Sequence, residues 1–307
     1  MTTESSPLLI VGTGAMACLF AARLSAANIP ITMMGSWPEG LEALRQNGVT
    51  LVDPEGHEQA YPVQVTSNLA ECSGITYALV LVKSWQTERA GNQLAVCLPS
   101  NGVALTLQNG MGNREILMRT LGAQRVALGA TTAGAYMLGP GKVQVAGEGV
   151  ISLSIHSQLK PLADMLGAAG FIVDTVVDAS ILLWGKLVIN AAINPITALL
   201  KTPNGEILEK PTARALMASV AREAAAVAVA KGVSLPYPDP VVATESITRR
   251  TAKNLSSMLQ DVLRGAPTEI DAINGAIVEM GEQMGVPTPL NRTLWALVKA
   301  FENDRIE

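Results

Sequence analysis

The chain is poor in the residue types on which several classes of protein depend. It has 3 Cys and 2 His among 307 residues. Cys18, Cys72 and Cys97 stand far apart with no CxxC, and an odd number argues against a disulfide framework or a zinc site. His57, in a DPEGHE turn, and His156, at a strand end, are badly placed for a histidine-based triad or a metal cluster. Charged residues make up only 16%, and 22 Lys+Arg stand against 26 Asp+Glu. A polyanion binder carries a basic surplus, so nucleic acid is not expected as a partner. No unbroken apolar run approaches the ~18 residues of a spanning helix, and Ile75 to Val82 is strand-sized. The opening MTTESSP has an acid and no base and runs straight into strand-like LLIV, so neither a signal-peptide n-region nor a cleavable h-region is expected. The expectation is a cytoplasmic protein with no membrane partner.

What the chain does have is aliphatic residues. Hydrophobic residues reach 49% while aromatics stay at 4%, so the excess is Ala, Val, Leu, Ile and Met. At the usual ~100–200 residues per domain the length suits two domains. The first half alternates short β-branched runs with helical patterns: LLIV (8–11), a helix over 15–27, PITMM (30–34), a helix near 41–46, TYALVLV (76–82), a helix around 87–96, VALTLQ (103–108), a helix over 114–121, and RVALGATT (125–132). This reads as repeated βαβ units and a parallel sheet. The Gly-punctuated KVQVAGEGVISLSI predicts an antiparallel hairpin at the sheet's edge. A helix (159–169) and a strand (171–175) close this half. From about Ala179 the strand signal fades and Ala-, Leu- and Met-rich helical stretches take over, with LPYPDP (235–240) as a loop between helices.

Directly after the first strand stands Gly12-Thr13-Gly14-Ala15-Met16-Ala17, a GxGxxA opening a helix. Its glycines permit a tight turn and close approach of a pyrophosphate to helix N-terminal N–H groups, and Ala17 permits close helix–strand packing. The fold class that follows is α/β: an N-terminal Rossmann-like dinucleotide-binding domain (1–178) and a C-terminal all-helical domain carrying substrate and catalytic groups (179–307). An NAD-binding domain usually ends its second strand with an acid that holds the ribose 2′-OH. Here Gly35-Ser36-Trp37 stands in that place. No carboxylate repels a 2′-phosphate, so NADPH is preferred over NADH; Ser36, or Arg45 if it folds back, is the contact available to it.

In the second half, Trp184-Gly-Lys186-Leu-Val-Ile-Asn190-Ala-Ala-Ile-Asn194-Pro195 puts an ammonium and two carboxamides on one helix face by i, i+4, i+8 spacing. Asn disfavours helix interiors, so two of them amid Ala, Ile and Val point to a bound ligand. The spacing alone fits equally well a snorkelling surface lysine with Asn194 at a break before Pro195. Asn254, Ser257 and Asp261 share a face by i+3 and i+7, and Glu269 falls in the first turn of the next helix, where an acid is also an ordinary dipole partner.

KLVINAAINPITAL, NLSSMLQDVLRGAPTEIDAINGAIV, VLVKSWQ (80–86) and LQNGMGN (107–113), in this order behind an N-terminal GxGxxA, resemble the ketopantoate reductase family over essentially the whole chain. The resemblance implies NADPH-dependent reduction of a 2-oxo acid to a 2-hydroxy acid, with ketopantoate, a precursor in pantothenate and coenzyme A biosynthesis, as the leading substrate. It implies a cleft between the two domains, with Lys186 as general acid and Glu269 contacting the cofactor or holding Lys186. It makes Asn190, Asn194, Asn204 and Ser257 substrate contacts, with Asn254 a further one on the same face. It sets Lys83 and Asn109 on the Rossmann side toward nicotinamide and substrate, and makes Ala135 a backbone cofactor contact. The family often has an arginine where Ser36 stands. Two other readings remain at this point: a 3-hydroxy acid dehydrogenase type, and a non-catalytic NADP sensor. The Ala- and Met-rich helices suit a homodimer face as well as an intramolecular core.

Overall fold

The computed structural model describes residues 8–72 and 74–303. Within them the chain forms two compact units, one of residues 8–108 and 113–180, the other of residues 109–112 and 181–303.

The first unit runs β1 (Leu8–Val11), α1 (Ala15–Ala26), β2 (Ile31–Met34), α2 (Pro38–Asn47), β3 (Val49–Val52), β4 (Glu58–Tyr61), β5 (Gln64–Thr66), β6 (Tyr77–Val80), α3 (Thr87–Cys97), β7 (Val103–Thr106), α4 (Asn113–Leu121), β8 (Val126–Thr131), β9 (Gly134–Gly139), β10 (Lys142–Gly147), β11 (Val150–Ser154), α5 (Lys160–Ala168) and β12 (Ile172–Val176). Its eight-stranded sheet has the order β12-β11-β8-β7-β6-β1-β2-β5. Neighbours are parallel except β8 and β11, which are antiparallel. All residues of β1, β6 and β7 are buried, as strands covered on both faces should be. Successive side chains of β1 divide between two cores: Leu8 and Ile10 pack with α1 and α5 through Phe20 and Leu162, Leu9 and Val11 with α3 and α4 through Leu94 and Leu117. Each such aliphatic side chain contributes roughly 1.5–3 kcal/mol of burial. β1 pairs with β2 on one side and β6 on the other. The chain thus changes direction across the sheet at the carboxyl end of β1, the position where open α/β sheets hold their ligands.

The antiparallel hairpin expected within KVQVAGEGVISLSI does not form: its first strand, β10, pairs antiparallel with β9 and parallel with β3 in a separate four-stranded sheet, β4-β3-β10-β9. VISLS then leaves that sheet to become β11 beside β8. The partner strands are hard to see in sequence: β4 reads EQAY with three exposed residues, so no alternation marks it.

The second unit is helical: α6 (Ser180–Leu200), α7 (Glu206–Glu209), α8 (Pro211–Ala230), α9 (Pro240–Arg250), α10 (Ser257–Leu263), a π-helical turn (Asp271–Gly275), α11 (Ala276–Met284) and α12 (Pro289–Asn303). α6 is long and apolar enough to cross a membrane, although Lys186 and the two asparagines break its apolar run; 72% of its most apolar window is buried in the unit, as in a core helix. Small side chains on α8, among them Ala221, Ala224 and Ala228, are fully buried in the same hydrophobic core. Asp239 caps α9 and Ser256 caps α10, each through a side-chain oxygen.

Candidate active site

At the carboxyl end of β1, Gly12 adopts φ +130°, and a Cβ there would stand 3.1 Å from the Leu81 carbonyl oxygen, so both conformation and space require glycine. Gly14 differs. It has φ −84° and ψ −174°, which any residue adopts, and a Cβ would meet nothing within 4 Å. It is exposed, Ala15 and Met16 are half-buried, and Thr13 and Ala17 are buried. The N-terminus of α1 has no side-chain cap and no acid in its first turn, so its N–H groups are available to an anion.

Around this turn, Ser36 is exposed at the end of β2 and borders a depression of about 870 Å³ shared with Glu39, Glu42 and Arg45. Arg45 lies 3.8 Å from Glu42, so it is already engaged with a carboxylate. Lys83, half-buried, begins a short 3₁₀ turn after β6 and donates its backbone N–H to Gln86 Oε1 at 3.3 Å. Behind it lies a buried network that the sequence did not announce. Gln108 Nε2 donates to Val82 O (3.0 Å) and Thr87 Oγ1 (2.8 Å), Thr106 Oγ1 to Gln108 Oε1 (2.9 Å), and Thr87 Oγ1 to Asn113 Oδ1 (2.8 Å). These bonds bind the carboxyl ends of β6 and β7 together. Ala135 is half-buried in β9, opposite Val145 of β10.

In the second unit, Lys186, Asn190 and Asn194 lie on α6 at the spacing read from sequence, over about 12 Å of helix. Lys186 and Asn190 are half-buried and Asn194 is buried. The Lys186 ammonium is densely enclosed by protein atoms, and that desolvation lowers its pKa from 10.5 to about 8, with the opposing attraction of Glu269 smaller. Glu269 is buried, with 6% of its surface exposed. It precedes the π turn rather than sitting in the first turn of a regular helix: Ile273 N donates to Glu269 O (3.1 Å), and Gly275 N to Ile270 O (3.0 Å). This turn is held from α12. Glu302 accepts from Thr268 N at 2.6 Å, and Asp271 accepts from Trp295 Nε1 (2.7 Å) and Lys299 Nζ (2.9 Å).

Asn109 does not belong with the strands that precede it. Residues 109–112 join the helical unit, where Met111 N donates to Ala272 O at 2.9 Å and a Cβ on Gly110 would stand 2.7 Å from Ala272. Asn109 thus stands beside the turn that follows Glu269. Asn254 and Ser257 do not share a helix face either: Ser257 is the first residue of α10, and Asn254 is exposed in the preceding turn. That turn meets the one before α7. Asn204 N donates to Asn254 O (3.0 Å) and Asn204 Nδ2 to Thr251 Oγ1 (2.9 Å), which buries the Asn204 side chain. Asp261 is buried and paired with Arg264 at 2.7 Å.

Two family models match the chain, one described as "Ketopantoate reductase PanE/ApbA" over residues 8–158, the other as "Ketopantoate reductase PanE/ApbA C terminal" over residues 180–302. The 2-dehydropantoate 2-reductase of Archaeoglobus fulgidus is 34% identical over 299 residues, which cover 96% of this chain and 97% of that one. A PanE/ApbA family ketopantoate reductase from Ralstonia eutropha superposes with a TM-score of 0.91 at 32% identity, over 98% of this chain and 100% of its own. D-mandelate dehydrogenase, solved with NADH and anilino(oxo)acetate, superposes with a TM-score of 0.89 at 25% identity, over 97% and 99%. With both halves matched in order and relatives aligned over nearly the full length, the chain belongs to the ketopantoate reductase family of oxidoreductases.

Proposed function

We propose that this protein reduces a 2-oxo acid to the corresponding 2-hydroxy acid with NADPH, and that its substrate is ketopantoate, giving pantoate for pantothenate and coenzyme A synthesis. The observation that carries this reading is Lys186. It is a cation set in an apolar helix, desolvated until its pKa is about 8, with a buried carboxylate acting on it and two carboxamides in line along the helix. A general acid works best when its pKa lies near the working pH.

The first unit fits a dinucleotide: the uncapped N-terminus of α1 offers N–H groups to the pyrophosphate, and the open space at Gly14 admits it. When bound, the cofactor supplies hydride to the carbonyl carbon. Lys186 then donates a proton from Nζ to the oxygen on which negative charge develops, stabilising and neutralising it. Glu269 keeps Lys186 charged against its desolvation. Asn190, Asn194 and Ser257 supply neutral donors for the substrate carboxylate, while Lys83 and Asn109 orient nicotinamide and substrate. Asn204 and Asn254, bonded to each other's turns, complete that wall.

A second reading is favoured by the cation-poor end of β2, where Ser36 is exposed and Arg45 faces Glu42. Together with the likeness to D-mandelate dehydrogenase bound to NADH, it supports a 2-hydroxy acid dehydrogenase that uses NADH and a bulkier 2-oxo acid. Purified protein assayed with NADPH and NADH against ketopantoate, aryl 2-oxo acids and 3-oxo acids, by loss of reduced-nicotinamide absorbance, decides between them. Turnover of ketopantoate with NADPH at the highest kcat/KM is the expected result. Bound cofactor with no turnover of any 2-oxo acid would defeat the proposal.

A further inference from the structure

Pro195 lies inside α6, where its ring nitrogen has no hydrogen to give to the Ala191 carbonyl four residues earlier. Asn274 supplies that hydrogen. Its Nδ2 donates to Ala191 O at 3.0 Å and to Asn291 Oδ1 at 3.0 Å. Chemistry fixes the direction of both bonds. Asn291 Nδ2 faces Glu223 Oε2 (2.9 Å) and Val220 O (3.4 Å), so Asn291 Oδ1 is left to accept from Asn274. The Glu223 carboxylate also accepts from Leu290 N and Asn291 N, each at 3.0 Å, where α12 begins. One chain of bonds therefore links α8, α12, the π turn and α6.

Asn274 is wholly buried, and its Oδ1 has no hydrogen-bond partner. An orphaned buried acceptor destabilises a fold, and an apolar side chain would avoid it, so the residue is explained by its donor. The two ends of its tie are informative. Ala191 follows Asn190 and lies five residues after Lys186, and Asn274 lies five residues after Glu269. We propose that Asn274 is a positioning residue that sets Lys186 against Glu269 by tying the Pro195 break in α6 to the turn carrying the carboxylate. The inference rests on Lys186 as the proton donor of the proposed function. Among the described residues, Glu269 is the charged group that acts on the Lys186 ammonium.

The test uses the full chain with Asn274→Ser, alone and combined with Pro195→Ala, which returns an N–H to the Ala191 carbonyl. Lys186 is titrated by its rate of acetylation with acetic anhydride, read by mass spectrometry, so the readout does not need turnover. Kinetics and melting temperature are measured beside it. Asn274→Ser is expected to lower the melting temperature, to cut kcat about tenfold or more, and to move the Lys186 midpoint down by about half a pH unit or more. Adding Pro195→Ala recovers melting temperature while the kcat loss and the midpoint shift persist, because α6 is repaired but not tied. A folded single or double variant with the wild-type midpoint overturns the proposal, as does failure of Pro195→Ala to recover any stability. A wild-type protein that reduces no 2-oxo acid defeats the proposed function instead, and the acetylation midpoints still decide what Asn274 does.

Discussion

At the turn between β1 and α1 the polar groups on offer are backbone N–H groups, exposed at Gly14 and uncapped by any side chain. Along α6 they are side chains, set in a helix that is otherwise apolar and largely buried. The first arrangement needs only a backbone path and an absence of Cβ atoms. The second places a cation where water is scarce, which disfavours the charged form, and must hold a carboxylate nearby to keep that cation usable. Backbone sites are thus cheap to build and hard to tune. Buried side-chain sites can be tuned to a pH, and they depend on whatever holds their parts in register.

The largest effect should come from removing the tuned group. Lys186→Ala is expected to lower kcat by about 10²–10⁴-fold, the range for loss of a general acid, with the dissociation constant of NADPH little changed. Stopped-flow binding and steady-state kinetics on the same preparation check this, and near-wild-type kcat would leave the two regions without the division of labour described above. Next comes Gly14→Ala. Its backbone angles and the open space around it predict a melting temperature close to wild type, while a methyl group on the path of the pyrophosphate weakens NADPH by about tenfold or more, at roughly 1.4 kcal/mol per tenfold. Unchanged NADPH binding would mean that Gly14 serves the fold and not the cofactor.

The same contrast governs what could be read from sequence. The strands β1, β6 and β7 were legible because burial on both faces leaves unbroken aliphatic runs, and the glycine turn because its spacing is local. Lys186, Asn190 and Asn194 were legible as a face because i+4 spacing is a property of one helix. What could not be read depends on distant partners. Asn274 looks like any residue of the TEIDAING segment until Ala191 and Asn291 are beside it, and Gln108 until Thr87 and Val82 are. Asn254 and Ser257 share no helix period because Ser256 caps α10 and the helix begins only at Ser257. Asn109 follows a strand of the first unit in sequence, yet its loop packs on Ala272 because a glycine at 110 allows contact that a side chain would block.

A third expected effect, smaller in amplitude, concerns pH. As the proposed general acid Lys186 must carry its proton to donate it, so kcat/KM for reduction is expected to fall as pH rises through about 8. Glu269 raises the Lys186 pKa, and Glu269→Gln removes that attraction, so the alkaline limb moves to lower pH and activity at neutral pH drops with it. A pH–rate profile with an unmoved limb would separate Glu269 from Lys186. The folding consequence has the opposite sign. The unfolded chain keeps this proton up to about 10.5 while the folded chain releases it near 8. Between those values the unfolded state binds more protons, so this group's contribution to stability rises with pH across that window and is at its most unfavourable below it.

The smallest effect is expected at the outer clamp of the Glu269 turn. Asp271 accepts from Trp295 Nε1 and from Lys299 Nζ, and Asp271 and Lys299 both retain substantial exposure. Exposed ion pairs contribute about 0.2–1 kcal/mol, and the indole bond is largely kept because the amide oxygen of Asp271→Asn still accepts from it. Asp271→Asn should therefore lower the unfolding free energy by about 1 kcal/mol or less in denaturant titrations, and more at low salt than at high, since screening already weakens the Lys299 pair. Its kcat should change by less than about threefold, because Thr268 N remains bound to Glu302 and Met111 N to Ala272 O on either side of it. A loss of kcat as deep as that of Asn274→Ser would shift the positioning of Glu269 from the buried tie to the surface clamp, and would mean that the turn is held from its solvent side.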